Sequence, residues 1–261
     1  MDYANFLYEK KDGIGVITLN RPEAMNTLTV HFMKEFGGLI SEISTDRSVR
    51  VVVLKAAAGK VFSAGGDFAL LKDLDSVQKA KECIYNWGGT IELINRMPQP
   101  IICAVDGAAS GGGANLALSC DFIFASEKAK FIQSFINIGV VPDTGGLWAL
   151  AKFTGITRAK ELAMTGRAIS ADDAKTYGIV LEVVTSEKLE ETVMSFATGL
   201  AEKPPIAIGM VKQIANQLNE QSLAIYRKTE AEAFAITLQT KDHKEGLAAF
   251  MEKRSPVFKG E

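Results

Sequence analysis

Two runs of small residues could bring backbone N–H groups close to a ligand: Phe62-Ser63-Ala64-Gly65-Gly66-Asp67 and Gly107-Ala108-Ala109-Ser110-Gly111-Gly112-Gly113. Glycine lacks the Cβ that would hold a ligand away from the main chain. A helix starting at such a loop adds its positive N-terminal end. Two N–H groups converging from two loops would form an oxyanion hole. By composition alone both runs read equally well as tight turns. Neither is a Walker loop, because no Gly-Lys-Ser/Thr follows, and neither is a GxGxxG turn after a first strand. A carboxyl stands in a third small-residue run, at Asp143 in Val141-Pro142-Asp143-Thr144-Gly145-Gly146. It could carry a proton or simply cap a helix beginning near Gly145.

Other chemistry is poorly supplied. Ser110 lies in Ala-x-Ser-x-Gly, one glycine short of a nucleophile elbow, and no histidine is placed to activate it. The only histidines are His31 and His243, and His31 reads as a surface residue of the first helix. Cys83, Cys103 and Cys120 show no CxxC pair and read as reduced thiols. Neither they nor the histidines have metal-ligand spacing, so no metal is expected. Asp67 reads as fixing its own loop, and Asp121 as a cap or an ion-pair partner. Trp87 and Trp148 read as core or pocket residues.

Several elements must hold these residues in place. Residues 13–19 are a β-branched run ending at Asn20-Arg21-Pro22, a strand and a turn. Leu28, Phe32, Phe36, Leu39, Ile40 and Ile43 have helical spacing. Val49 to Ala56 is almost wholly apolar, as in a strand covered on both faces. A loop is expected over 59–67 and a helix over 76–97, ended by Pro98 and Pro100. Strands follow at 101–105 and 122–125, with a third at 130–135 and a short helix over 114–119. The alternation implies an α/β core. Beyond Gly145 the pattern turns helical: 147–153, 157–166, a helix capped by Ser170 with Asp173, a brief strand at 180–184, then 188–202, 205–218, 222–238 and 241–253.

The 261 residues suit one large domain with at most a small appendage. A net charge of −2 and a pI near 5.9 leave no basic field for nucleic acid. No run approaches the roughly 18 apolar residues that span a bilayer, and no targeting segment is visible. A soluble, cytoplasmic protein is expected; a removed transit peptide would make it mitochondrial.

Further runs occur in order with those above: Asn20-Arg21-Pro22-Glu23-Ala24-Met25-Asn26, Glu161-Leu162-Ala163-Met164-Thr165-Gly166, Ala174-Lys175-Thr176-Tyr177-Gly178-Ile179-Val180 and Phe250-Met251-Glu252-Lys253-Arg254. Each is weak alone. Together, in this order and spacing, they make the chain resemble the crotonase (enoyl-CoA hydratase/isomerase) superfamily nearly end to end. The resemblance implies a spiral of ββα units with a helical C-terminal trimerisation region. Residues 1–190 would be the core with the acyl-CoA site and 191–261 the oligomerisation region of a homotrimer or dimer of trimers. Acyl-CoA thioester would be the substrate, with coenzyme A as its carrier and no separate cofactor.

By the same resemblance, Gly66 and Gly112 would donate their N–H groups to the thioester oxygen. Ala24, Met25, Ala64, Gly65, Asp67 and Phe68 would line the adenine and pantetheine path. Lys259 or the Lys253-Arg254 pair would reach a CoA phosphate, or would belong to a solvated helix face. Hydratases of the family carry two glutamates, at positions occupied here by Asn115 and Phe135. Neither replacement can transfer a proton as a carboxyl does. Asp143 stands where members that shift double bonds carry an aspartate, so the resemblance favours it as the catalytic acid over the cap reading. Phe135 would line the pocket and exclude water, and Asn115 would face the substrate. A dehalogenating branch also uses a His in the helix before the Pro98–Val105 strand, and none is there. The expectation is an enoyl-CoA isomerase. The alternatives are a hydratase of an unusual enoyl-CoA, such as a cyclic one, with Asp143 and Asn115 positioning water, and a non-catalytic CoA-binding or scaffold protein.

Overall fold

In the computed structural model, residues 3–57, 59 and 61–261 are described. The chain opens with a hairpin, β1 (Phe6–Lys11) and β2 (Ile14–Leu19), turned at Asp12 and Gly13. A 3-10 turn, Pro22–Ala24, leads to α1 (Val30–Thr45), where the Thr29 side chain accepts the Phe32 N–H as N-cap. Then come β3 (Val51–Ala56), β4 (Val61–Ser63), α2 (Phe68–Asp73) and α3 (Val77–Arg96). The same motif recurs as β5 (Ile101–Val105), β6 (Ala108–Ser110) and α4 (Gly112–Leu118). It returns as β7 (Phe122–Ser126), β8 (Lys130–Ile132), a 3-10 turn over Ser134–Ile138, and α5 (Gly146–Thr154). α6 (Ile156–Thr165), β9 (Ala168–Ser170), α7 (Ala171–Thr176) and β10 (Glu182–Val184) follow. The chain ends in α8 (Ser186–Ala201), α9 (Pro205–Gln217), α10 (Leu223–Leu238) and α11 (Lys241–Glu252).

The first strand of each repeat joins a six-stranded sheet ordered β1-β2-β3-β5-β7-β10, and the second joins a four-stranded sheet ordered β4-β6-β8-β9. Apart from β1 with β2 and β8 with β9, the pairings are parallel. This is the expected succession of ββα units.

The apolar run in β3 is covered on both faces, as its composition implies. Val52 and Leu54 enter one core with Phe32, Phe36, Leu39, Ile40 and Ile43 of α1 and Ile91 and Ile94 of α3. Val51 and Val53 point the other way and pack with Leu189, Val193, Ala197 and Ala201 of α8. The period of two in the strand thus separates two apolar layers. The boundary expected at 190/191 passes through α8, because one stripe of that helix covers the sheet.

The helical C-terminal region begins beyond α8. α9 is fastened beneath the sheet by buried Lys212, whose Nζ lies 2.8 Å from Asp121 Oδ2 and donates to the Gln99 carbonyl at 2.9 Å. Asp121 also accepts the Ile101 N–H at 2.7 Å, so it serves as the expected pairing residue. α10 buries none of its residues; Leu223 and Phe234 stand 72% and 65% exposed on it. No described helix is long and apolar enough to cross a membrane.

Candidate active site

Both glycine loops leave the C-terminal ends of parallel strands in the small sheet, β4 and β6, which pair directly. That pairing brings the loops into contact. A methyl group on Gly65 would lie 2.6 Å from the Ser110 carbonyl oxygen and 3.0 Å from the Gly112 nitrogen. Gly65 also has φ +92°, so only glycine fits there without strain. A methyl on Gly112 would sit 3.5 Å from the Gly66 nitrogen.

Among the described residues neither N–H group has an acceptor, for a structural reason. Gly66 bridges Leu28, but that bridge uses the Gly65 carbonyl (2.8 Å) and the Asp67 N–H (3.3 Å), leaving the Gly66 N–H outside it. Gly112 is the first residue of α4, where an N–H has no intrahelical acceptor, and its N-cap Gly111 has no side chain to offer one. Two neighbouring donors are therefore available to an anionic oxygen.

The expected path residues come together around these donors. Met25 and Asn26 adopt left-handed backbone, φ 51° and 50°, after the 3-10 turn. Ala64 N–H donates to the Met25 carbonyl at 3.0 Å, and Asn26 Nδ2 to the Phe62 carbonyl at 3.0 Å. Ala24 and Met25 are thereby held beside Ala64 to Phe68. Met25 and Phe68 are exposed, at 53% and 67%. Asp67 accepts the Ala69 N–H, the backbone hydrogen bond expected of it, and does so as the N-cap of α2, a helix the sequence pattern does not announce.

Asp143 lies in the turn before α5. The helix is not capped by its side chain: Gly145 is the N-cap, and the Asp143 main-chain carbonyl takes the Gly146 N–H at 2.8 Å. The carboxyl is half-buried. Burial pushes it above its ordinary value, against hydrogen bonds from Thr144 and Asn115 that pull it down. Such a group is a stronger base than a solvated aspartate.

Asn115, in α4, is buried and committed to Asp143. Its Nδ2 donates to the Asp143 carbonyl at 3.0 Å and to Oδ1 at 3.3 Å. Its Oδ1 accepts from Gln133 Nε2 at 3.0 Å. A Cβ on Gly146 would overlap this amide, at 2.0 Å from Oδ1, so Gly146 is what admits the contact. Phe135 is buried in the 3-10 turn, with its ring against the Gly111 loop. Gln133 and Thr144 were given no role by sequence reasoning. Thr144 offered a signal, as a β-branched residue beside two glycines in a tight turn; Gln133 offered none.

A cavity of about 570 Å³ adjoins the Asp143 turn at Asn115, Thr144 and Gly145. Leu118 of α4, Trp148 and Phe153 of α5, and Val211 of α9 are among its walls. Lys152 lies over the Trp148 ring at 3.7 Å. Neither Gly66 nor Gly112 lines this cavity, so it meets the site on the Asp143 side. Trp87 is buried in the core.

The cations expected to reach a phosphate differ in availability. Arg254 is held by both Glu245 oxygens and by Glu252, whereas the Lys253 and Lys259 side chains are exposed. Ser110 donates to Ser134 Oγ at 3.0 Å. His31 is exposed on α1 beside Glu35.

The sequence pattern of the family described as enoyl-CoA hydratase/isomerase matches residues 9–261. The chain is 37% identical, over the whole of both chains, to trans-2-decenoyl-[acyl-carrier-protein] isomerase of Streptococcus mutans. It is 38% identical, over 99% of each chain, to a probable enoyl-CoA hydratase of Rhizobium meliloti. The crystal structure of enoyl-CoA hydratase from Bacillus anthracis superposes with a TM-score of 0.93 at 34% identity, covering 98% of this chain and 100% of that one.

Proposed function

The chain belongs to the enoyl-CoA hydratase/isomerase family, and from that premise we propose that it is an isomerase that moves the double bond of an enoyl thioester. One observation carries this reading. At the position of the first hydratase glutamate stands an amide, Asn115, and that amide is hydrogen-bonded to the one acid in the turn, Asp143. With Phe135 at the second position, one carboxyl is left to move protons.

One carboxyl is enough. Asp143 takes a proton from C2 of a 3-enoyl thioester, and the C–H electron pair enters the conjugated system. The negative charge builds on the thioester oxygen, where the Gly66 and Gly112 N–H groups receive it. The protonated Asp143 then returns the same proton to C4, and the double bond closes between C2 and C3. No water is consumed. The apolar Phe135, at a position where hydratases place a proton-transferring group, disfavours activation of one. The reverse direction, from a 2-enoyl to a 3-enoyl thioester, uses the same groups.

The carrier is proposed to be coenzyme A, lying along Ala24, Met25, Ala64, Gly65, Asp67 and Phe68, with Lys253 or Lys259 at its phosphates. The apolar cavity beside Thr144 and Gly145 would take the acyl tail. The exposed apolar side chains of α10, Leu223 and Phe234 among them, support a homotrimer or dimer of trimers built through the helical C-terminal region. A cytoplasmic location accords with this chemistry.

The test is turnover of 3-hexenoyl-CoA and crotonyl-CoA by the wild type and Asp143→Asn, with products identified by mass. Isomerised product that disappears in Asp143→Asn supports the shuttle. Hydrated product that survives the substitution sinks it. The Streptococcus mutans relative is named for an acyl-carrier-protein thioester, so 2-decenoyl groups on both carriers belong in the same assay.

A further inference from the structure

The geometry points to a one-sided carboxylate: Thr144 and Asn115 are positioning residues that clamp Oδ1 of Asp143 and leave Oδ2 as the atom that carries the substrate proton. This rests on the reading of Asp143 as the proton shuttle.

Both side-chain donors fall on the same oxygen. Thr144 Oγ1 donates to Oδ1 at 3.0 Å and Asn115 Nδ2 at 3.3 Å. Among the described residues no side-chain hydrogen bond reaches Oδ2, and the carboxyl's one further donor is the main-chain N–H of Asp143 itself. An oxygen with two donors has its lone pairs engaged and is the weaker base, so a proton arriving at this carboxylate goes to the other oxygen. Rotating the carboxylate would break both bonds. Oδ2 is therefore the atom that takes the proton from C2 and the atom that returns it to C4.

The clamp is itself held. Gln133 Nε2 donates to Asn115 Oδ1 at 3.0 Å, which fixes the Asn115 amide with its NH2 toward Asp143. Asn115 is 1% exposed, and its amide fills the space that a side chain on Gly146 would need. Thr144 is held in the left-handed region, at φ 45°. That backbone is a rare one for a β-branched residue, and here it accompanies a side chain folded back onto the preceding carboxyl. The Asp143 charge helps push up the Cys83 thiol on α3, after burial, which is the larger cause.

Thr144→Val removes the hydroxyl while keeping the β-branched shape and its backbone strain, and Thr144→Ser keeps the hydroxyl. Two readouts are needed. The first is kcat/KM for 3-hexenoyl-CoA against pH. The second is an infrared titration of the Asp143 carboxyl, taken as a difference against Asp143→Asn, which needs no turnover. In Thr144→Val the carboxyl is expected to titrate about one unit higher. The acid limb should move up with it, and kcat should fall about tenfold with KM little changed. Thr144→Ser should restore all three. A Thr144→Val titration and pH profile superimposing on the wild type would overturn the clamp. Turnover retained in Asp143→Asn would overturn the shuttle reading instead, while the infrared titration would still report on the clamp.

Discussion

One Asn115 amide nitrogen reaches two oxygens of Asp143, the carbonyl at 3.0 Å and Oδ1 at 3.3 Å. The two residues are 28 positions apart, one in the first turns of α4 and the other just before α5. The contact ties the helix that presents the Gly112 donor to the turn that presents the acid. A shift of either element would move both ends of the proposed reaction together.

Asn115→Asp replaces that donor with a second carboxyl of the same size. Two adjacent carboxylates cannot both ionise easily, so one titrates well above its usual range. The acid limb of the isomerase pH profile should therefore move strongly upward, with activity returning at higher pH. A profile unchanged from the wild type would mean that Asn115 does not act on the proposed catalytic acid.

Asp143→Asn should change stability as well as activity. Burial raises the Asp143 carboxyl, so the folded state binds its proton more tightly than the unfolded state does. The carboxyl's contribution is fully favourable below about pH 4, the unfolded range, and is lost as pH rises through the folded value. Asparagine does not titrate. The variant should melt above the wild type at pH 7 and lose that advantage at pH 3, while kcat falls by about 10²–10⁴-fold. Calorimetry at the two pH values checks the sign.

Gly112→Ala tests the proposed oxyanion donors, with only the end of the Leu28 side chain required to give. The new methyl would lie 3.3 Å from Leu28 Cδ1 and 3.5 Å from the Gly66 nitrogen, at the start of a helix that alanine favours. On the proposed reading it crowds the position of the thioester oxygen. We expect an unchanged or slightly higher melting temperature and a kcat lower by about 10²–10³-fold. Full activity in a folded Gly112→Ala protein would remove Gly112 from the site.

α1, α3, α8 and the central strands of the large sheet are legible in the sequence because each buries an apolar stripe, whereas α10 buries none of its residues. The helix over 76–97 and the strand over 101–105 appear within a residue or so as α3 and β5. β4 and β6 read only as loops: three residues long, they lie in small-residue runs with no room for a period. β1 is an edge strand in which Phe6 alone is fully buried and Glu9, Lys10 and Lys11 face water, so its apolar signal is faint. The glycine donors and Asp143 stand out through type and motif order. What Asn115 does is not legible. Its hydrogen bonds to Asp143 and Gln133 depend on how α4, β8 and the Gly146 backbone meet, and a sequence separation encodes none of that.

Val211→Trp probes the acyl cavity. Val211 is 67% exposed and forms part of its α9 wall. An indole there shortens the space beyond Thr144 and Gly145 without touching the reacting carbons. The expected result is a fall of about 10–100-fold in kcat/KM for a ten-carbon enoyl thioester, with a four-carbon substrate little affected. Equal losses for both would place the tail elsewhere.

Thr144→Gly should separate stability from function. The threonine at φ 45° costs about 1–3 kcal/mol relative to a residue at ease there, and glycine adopts that backbone freely. Part of the gain is offset by the greater freedom of glycine in the unfolded chain. A net stabilisation of about 1 kcal/mol, or about 2–4 °C in melting temperature, is expected. The hydroxyl on Asp143 Oδ1 is lost in the same substitution, so kcat should fall about tenfold. A more stable but slower enzyme is the result expected where strain is retained to hold a catalytic group. If Thr144→Gly were instead less stable and equally active, the left-handed threonine would be serving the fold rather than the carboxylate.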